Sequence, residues 1–444
     1  MLLTTRVFAA LTATLVLMTP AIWNRFPLLQ WDTGGYLARW FEGYLVPSRS
    51  VVYGLFLTAG WPLDFWPVVA VQAAATLWVV SLVLRAHHIH LSRFGFIALV
   101  ASLSVLTTLP WLVSILLTDI FAGLSVLGLY LLLWRSDRLN APERLGLIGL
   151  VAFSAATHSA TLAVDLAVIV AGAAFAYGCR ERTPRGGLAA ASAAVVLSVV
   201  LVFAADYVLV RRLAWTPGGY GLAFGRLLQD GLVKRYLDRH CPQAGFKLCP
   251  YRDELPETAD AFLWGQSVFD RLGRFAGLGG EMETIVIGSL AEEPFANLEA
   301  ALVATGRQLV TVAGGEGVLT SIWHTYGMIE NFTPSVVPAM RAARQQQGEI
   351  DFAAMNAVQV PIALASLALL PGVVVLGWRR REFARLGRLA ATVLVALVAN
   401  AAVCAIISGP HPRYGARLIW LASLTVVMVP MRATRRAGGD RGEV

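Results

Sequence analysis

Charge is scarce in this chain. Asp, Glu, Lys and Arg make up 14% of 444 residues, against about a quarter in a soluble globular protein, so an ordinary soluble domain is excluded. Lysine is nearly absent, with Lys234 and Lys247 the only two. Four cysteines are too few for a disulfide scaffold. The chain has no internal repeat, no low-complexity tract and no glycine-rich phosphate loop, which removes solenoids and P-loop chemistry. The net charge of +8 comes from arginines at the ends of apolar runs. It therefore speaks of membrane topology, with no nucleic-acid partner implied.

Apolar residues are abundant: 57% of the chain is hydrophobic and the mean hydropathy is +0.63. Runs long enough to cross a hydrocarbon core of about 30 Å occur near 6–23, 67–84, 94–109, 115–134, 144–158, 161–178, 188–210, 357–378, 388–407 and 415–431. The expected fold is an all-α polytopic membrane protein of about ten spans. The first run carries one arginine and no small-residue cleavage site, so it reads as an uncleaved span. Alternate joints and the tail hold about eighteen arginines, including Arg6 and the loop C-R-E-R-T-P-R-G-G that starts at Cys179. The opposite loops hold about five, which places both termini in the cytoplasm. Richness in Ala, Leu, Val, Gly and Arg is that of a high-GC bacterial coding sequence, so the expected location is a bacterial inner membrane.

Three regions follow: 1–210, an N-terminal membrane module with an external loop at 24–66; 211–356, an extracytoplasmic domain; and 357–444, the C-terminal spans. In the loop, Gly34–Tyr44 has the pattern of an interfacial helix anchored by Tyr36, Trp40 and Phe41. Val51–Ala59 is an apolar helix too short to cross. The inserted domain has helical patterns near 257–277, 292–312 and 336–346. Cys241 and Cys249 sit together in it, and outside the cytoplasm they would form a disulfide worth roughly 2–3 kcal/mol. Zinc would require further ligands, and beside His240 no second Cys or His pair follows.

The positions of the ionisable residues carry the functional signal. Asp32 follows Trp31 and precedes T-G-G-Y, where glycines would admit a ligand close to the backbone; Arg39 and Arg49 share its loop. Asp119, Asp165 and Asp206 lie near the outer ends of spans, with His158 and His411 at outer ends and Asn400 two turns in. A carboxylate in lipid costs roughly 2.5–3.5 kcal/mol, so these groups are expected to outline one polar pocket at the external face. Plainer roles exist for each: Asp165 and Asp206 snorkelling or pairing with Arg211 and Arg212, Asp119 serving free amides at a helix start, His158 bonding a neighbouring helix. S-G-P-H-P-R-Y-G-A-R (408–417) is expected to present His411, Arg413, Tyr414 and Arg417 outward, where a guanidinium fork suits an anionic lipid headgroup. Interfacial anchoring is its plainer role.

The arrangement resembles the GT-C class of polyprenyl-phosphate-sugar glycosyltransferases, which includes protein O-mannosyltransferases and aminoarabinose transferases. The residues that carry the resemblance are Asp32 and Tyr36, then P-S-R-S-V-V-Y-G-L-F-L-T-A-G-W with Arg49 and Tyr53, then V-V-A-V-Q-A-A-A-T-L-W-V-V-S-L-V-L-R. Asp119 in L-L-T-D-I is similar to the second acidic position of that class, and Arg413-Tyr414 to its late R-Y. The likeness spans residues 6–180 and, more thinly, 388–431; the segment 211–356 has no counterpart.

The resemblance implies inverting transfer of a sugar from a polyprenyl-phosphate donor to a lipid, glycan or protein acceptor outside the cytoplasm. Asp32 would be general base and Arg413 would stabilise the leaving phosphate, assisted by Arg49, Tyr414 or His411. Asp119 and His158 would shape the sugar or acceptor pocket, and Val51–Ala59 would line a groove for the isoprenoid chain. No cofactor is assigned. The one candidate is a divalent metal, Mg or Mn, for which Asp32 lacks the neighbouring carboxylate that some members of the class carry. The competing readings are a glycan polymerase or ligase using a lipid-diphosphate donor, a transporter or flippase, and a receptor-like scaffold. Transporters concentrate polar groups at the bilayer midplane and often repeat internally; this chain does neither.

Overall fold

A computed structural model describes residues 2–43, 45–178, 186–215 and 219–439, with side chains from residue 7 to residue 433. Tyr44, the arginine-rich loop 179–185 with Cys179, the Arg6 side chain and the side chains of the tail beyond 433 lie outside the described residues. Among the described residues the chain is helical, and its only bridge pairs Leu28 with Ile115 in parallel.

Among the described residues, seven helices are long and apolar enough to cross a membrane: Trp66–Ala86, Asp119–Arg138, Ser159–Gly178, Gly187–Val210, Phe352–Arg379, Arg381–Ile407 and Pro412–Ala433. They make the chain a multi-pass membrane protein. Three of the ten expected spans are shorter. Leu2–Leu17 has 16 residues, Arg93–Leu106 has 14 and Ala141–Thr157 has 17, or about 21–26 Å at 1.5 Å per residue. The first two stop at breaks and resume as Thr19–Asn24 and Leu109–Ser114, each with a proline in its first turn. Proline fits there because the first helical amides have no intrahelical acceptor.

Asp119–Arg135 is the axis of the bundle, and every one of its residues is buried. Packed around it are Trp66–Ala86, Ala141–Thr157, Ser159–Gly178, Gly187–Val210, Ala384–Ile407 and Pro412–Gly439. Gly123 lets the buried Trp420 ring lie against this axis; a Cβ there would fall 2.8 Å from the ring. At one end of the bundle Arg85 pairs with Glu143, Arg135 donates to the Ala86 carbonyl and Arg432 to that of His87. The 24–66 loop covers the other end, called the loop face below.

The segment 211–356 packs in two parts. Residues 219–286 have a core of their own, centred on Phe224, Phe262, Phe269 and Met282, with Cys241 and Cys249 joined in a disulfide. From Val312 onward the buried residues belong to the main core. The expected helical patterns correspond to Ala259–Leu263, Val268–Arg271 and Arg274–Glu292, then Pro294–Val310, then Val337–Arg341.

The short helices of the first loop correct an expectation. Thr33–Phe41 does not lie exposed at an interface, because Trp323–Phe332 packs over it. Phe41 stacks on Phe332 at 5.0 Å, and the buried Tyr36 meets Tyr53 edge-on at 5.0 Å. Its amphipathic pattern records burial under protein. Val51–Gly60 is the second short helix, started by Ser50, whose hydroxyl accepts from the amides of Val52 and Tyr53.

Candidate functional site

Local geometry aims four charged side chains at one point. The Gln30–Thr33 turn is fixed by its own polar groups: Gln30 Oε1 accepts the Asp32 amide at 2.7 Å, and Thr33 Oγ1 accepts the Gln30 amide at 3.1 Å while donating to the Leu116 carbonyl at 3.0 Å. Asp32 precedes helix Thr33–Phe41 without capping it, so its carboxylate is left to project. The parallel bridge sets Leu28 beside Ile115. Asp32 and Asp119 lie four residues beyond the paired residues, so a backbone pairing brings the two carboxylates to one place. Gln72 holds the segment around Ile115 through the carbonyls of Val113 and Ile115. Arg49 leaves the turn made by Ser48, whose φ is 59°. Arg413 is the second residue of the last helix, and its amide donates to Glu316 Oε2 at 2.8 Å.

These side chains form a linear chain of ion pairs. Arg49 binds Asp32 Oδ1. Arg413 Nη1 donates to Asp32 Oδ2 at 2.5 Å, and its Nε and Nη2 donate to Asp119 at 2.7 and 3.4 Å. Side-chain exposure falls from 18% at Arg49 to 3% at Asp119. Burial alone would raise the Asp32 pKa; the charges and hydrogen bonds of Arg49 and Arg413 overcome it and hold the group at about 2. The formal charges, two plus and two minus, cancel. Tyr36 closes one side, its ring 5.9 Å from the Arg49 guanidinium and its hydroxyl 3.5 Å from Thr118 Oγ1.

The other expected site residues fall around this network. His411 Nδ1 lies 2.8 Å from Glu316 Oε1 and its ring 4.0 Å from Asp260. Tyr414 stands edge-on to His411, and its hydroxyl meets Ser408 at 3.1 Å. Tyr53 is directed away from the network, donating to Gln72 Oε1 at 3.2 Å. His158 lines a cleft on the far side of Arg49.

Several expectations are corrected here. The polar residues do not share one pocket: Asp165 accepts from Ser125 at 2.6 Å inside the bundle, and Asp206 faces Arg39 at 3.8 Å; neither pairs with Arg211 or Arg212. Arg417 is not presented outward. It is 1% exposed and donates to Asn400, whose own amide holds the Tyr414 carbonyl. Gly34 admits protein, since a Cβ there would fall 2.6 Å from the Thr325 backbone, and Gly35 faces Arg49. Glu316, which sequence reasoning missed, supports both His411 and Arg413; its only signal is a lone acid inside G-G-E-G.

Arg413 already stands as the cation between Asp32 and Asp119, and among the described residues no three His, Cys, Asp or Glu side chains gather as a metal site. Compared with models of known families, with curated proteins and with solved structures, the chain matches none.

Two outcomes follow from this geometry. Asp119→Leu leaves Arg413 half-compensated and should cost about 3–5 kcal/mol. Adding Arg413→Met leaves the neutral pair Arg49–Asp32 and should restore most of the loss, a coupling measurable by denaturation of the purified protein. The second outcome concerns pH. Glu316 raises the His411 pKa above its ordinary 6.5, with burial and Arg413 opposing and Asp260 assisting. Stability from this contact is complete below pH 6.5 and is lost as pH rises through the raised value. Tm should therefore fall as pH rises above 6.5, and His411→Gln should flatten that slope.

Proposed function

We propose that this chain is a membrane glycosyltransferase that moves a sugar from a polyprenyl-phosphate donor to an acceptor on the loop face, taken as extracytoplasmic, with inversion at the anomeric carbon. The observation that carries this reading is the meeting of Asp32, Asp119, Arg49 and Arg413, drawn from three remote parts of the chain, at the rim of a helical bundle. In the reaction the acceptor hydroxyl oxygen attacks the anomeric carbon. The bond from that carbon to the phosphate oxygen breaks, and its electron pair leaves with the phosphate. The hydroxyl proton passes to Asp32.

The low pKa of Asp32 makes it a weak base while both guanidiniums hold it. A donor phosphate offers Arg49 and Arg413 an alternative anion. As either arginine turns to it, Asp32 loses a stabilising charge and its affinity for a proton rises. Binding of the donor and activation of the base then become one event, and the displaced guanidinium stabilises the leaving phosphate. Asp119 keeps Arg413 oriented throughout.

The saturation of the ion pairs favours one competing reading, a latch that only ties the loop to the bundle. The two are separated by assaying the purified protein with a synthetic polyprenyl-phosphate sugar. Asp32→Asn should lower transfer by about 10²–10⁴-fold, the usual contribution of a general base, while the protein stays folded and retains the donor. Transfer that is unchanged per folded molecule, or absent from the unmodified protein, would leave only the latch.

A further inference from the structure

The end of the bundle opposite the loop face gathers charge of one sign. His87 follows the span Trp66–Ala86, and its Nε2 lies 2.9 Å from the Tyr130 hydroxyl, which donates to the Arg385 carbonyl at 3.2 Å. Arg432 Nη1 donates to the His87 carbonyl at 2.9 Å, and Arg135 Nη2 donates to the Ala86 carbonyl at 3.0 Å. Three spans therefore bring Arg135, Arg385 and Arg432 to one place, where Arg385 and Arg432 share a shallow cleft with His87 and Glu382. Arg388 lies 5.9 Å over the Trp134 ring. The acids that meet this cluster among the described residues are Asp137, 3.2 Å from Arg138 and 4.0 Å from Arg135, and Glu382, 4.0 Å from Arg380. The Arg385 guanidinium has no hydrogen bond or ion pair among the described residues. Burial, and then the charges of Arg135, Arg432 and Arg385, hold the His87 pKa down at about 3. The imidazole therefore adds no charge, and the excess is that of the arginines.

Depth decides what such a cluster meets. Arg385 and Arg432 sit in the terminal turns of the spans Arg381–Ile407 and Pro412–Ala433, level with the phosphates of the bilayer that those helices cross. Trp378, 76% exposed, and Phe94, 86% exposed, mark that interface on neighbouring helices. Arginines at span ends often do no more than set topology, and Arg85, bound by both carboxylate oxygens of Glu143, fits that role. Arg385 and Arg432 differ. The His87–Tyr130 pair fixes both of them, and they converge on one rim where arginines outnumber acids among the described residues. Guanidinium forks suit phosphate oxygens, and basic clefts between spans at this level hold anionic headgroups. We propose that Arg385 and Arg432, backed by Arg135 and Arg388, hold the phosphate of one anionic phospholipid. The phosphate rests on the rim of half-buried guanidiniums and does not enter the cleft; the acyl chains follow the lipid-facing side of the spans. The site stands at the far end of the bundle from the Arg413 network and does not depend on glycosyl transfer.

The test is native mass spectrometry of the full chain, delipidated in a polyoxyethylene detergent and titrated with phosphatidylglycerol, phosphatidylcholine and inorganic phosphate. One phosphatidylglycerol should bind saturably and more tightly than phosphatidylcholine, and millimolar inorganic phosphate should not displace it. Arg385→Gln and Arg432→Gln should each weaken it by about fivefold, the equivalent of roughly 1 kcal/mol per basic side chain near a membrane surface. Arg85→Gln makes the same change in net charge at the same end of the bundle and should leave binding unchanged. Arg432→Gln also removes the hydrogen bond to the His87 carbonyl. Should that variant fail to fold, Arg385→Gln, whose side chain holds no such bond, carries the test. An equal loss in Arg85→Gln would reduce the site to a diffuse field, and displacement by inorganic phosphate would make it a site for soluble anions. Equal binding of phosphatidylcholine, or full phosphatidylglycerol binding by Arg385→Gln, would remove the site; each of these four results overturns the proposal.

Discussion

The guanidinium of Arg413, held between Asp32 and Asp119, is the contact on which the loop face depends. Taking an ion out of water costs several kcal/mol even after relaxation, and four ions are withdrawn here together. That cost is offset only if each carboxylate keeps a cation in hydrogen-bonding contact, so the first loop, the central helix and the last span must all arrive in register. The parallel pairing of Leu28 with Ile115 supplies that register for the two acids. Glu316 supplies it for Arg413 by holding the backbone amide at the start of the last helix. A neutral set of four charges at this depth is therefore a property of the whole fold, because three segments distant in sequence must agree on one point.

Much of the site was legible in the sequence because membrane proteins have so few charges to place. Asp32, Arg49, Asp119 and Arg413 stood out as ionisable groups beside apolar runs, and the structure brings these four together. What could not be read was pairing across long separations. Glu316 lies 97 residues from the arginine it supports, in a segment read from composition as a separate external domain. Arg39 and Asp206 were each visible, but their mutual approach depends on a helix that amphipathic patterning assigned to the interface. That pattern cannot tell burial under protein from burial in lipid, since both reward the same apolar stripe. The glycines after Asp32 show the same ambiguity: they mark a close approach, and the approaching group turned out to be the Thr325 backbone. Two of the expected spans break where a helix restarts at a proline, a break that hydropathy summed along an apolar run does not register.

Two kinds of polar site then stand side by side at one face. Every donor nitrogen of Arg413 is occupied, and any anion that binds it must displace a carboxylate. Beside it Arg39 and Asp206 stand 3.8 Å apart, with Arg39 Nε and Nη2 and Asp206 Oδ2 buried and without hydrogen-bond partners. Arg49 borders both. Arg49 and Arg413 together keep Asp32 ionised and weakly basic.

A cryo-EM map of the protein in lipid nanodiscs tests the central contact most directly. Continuous side-chain density should run from Arg49 through Asp32 and Arg413 to Asp119. A map in which the Arg413 guanidinium turns away from both carboxylates, or in which Asp32 and Asp119 open onto separate cavities, would contradict the account.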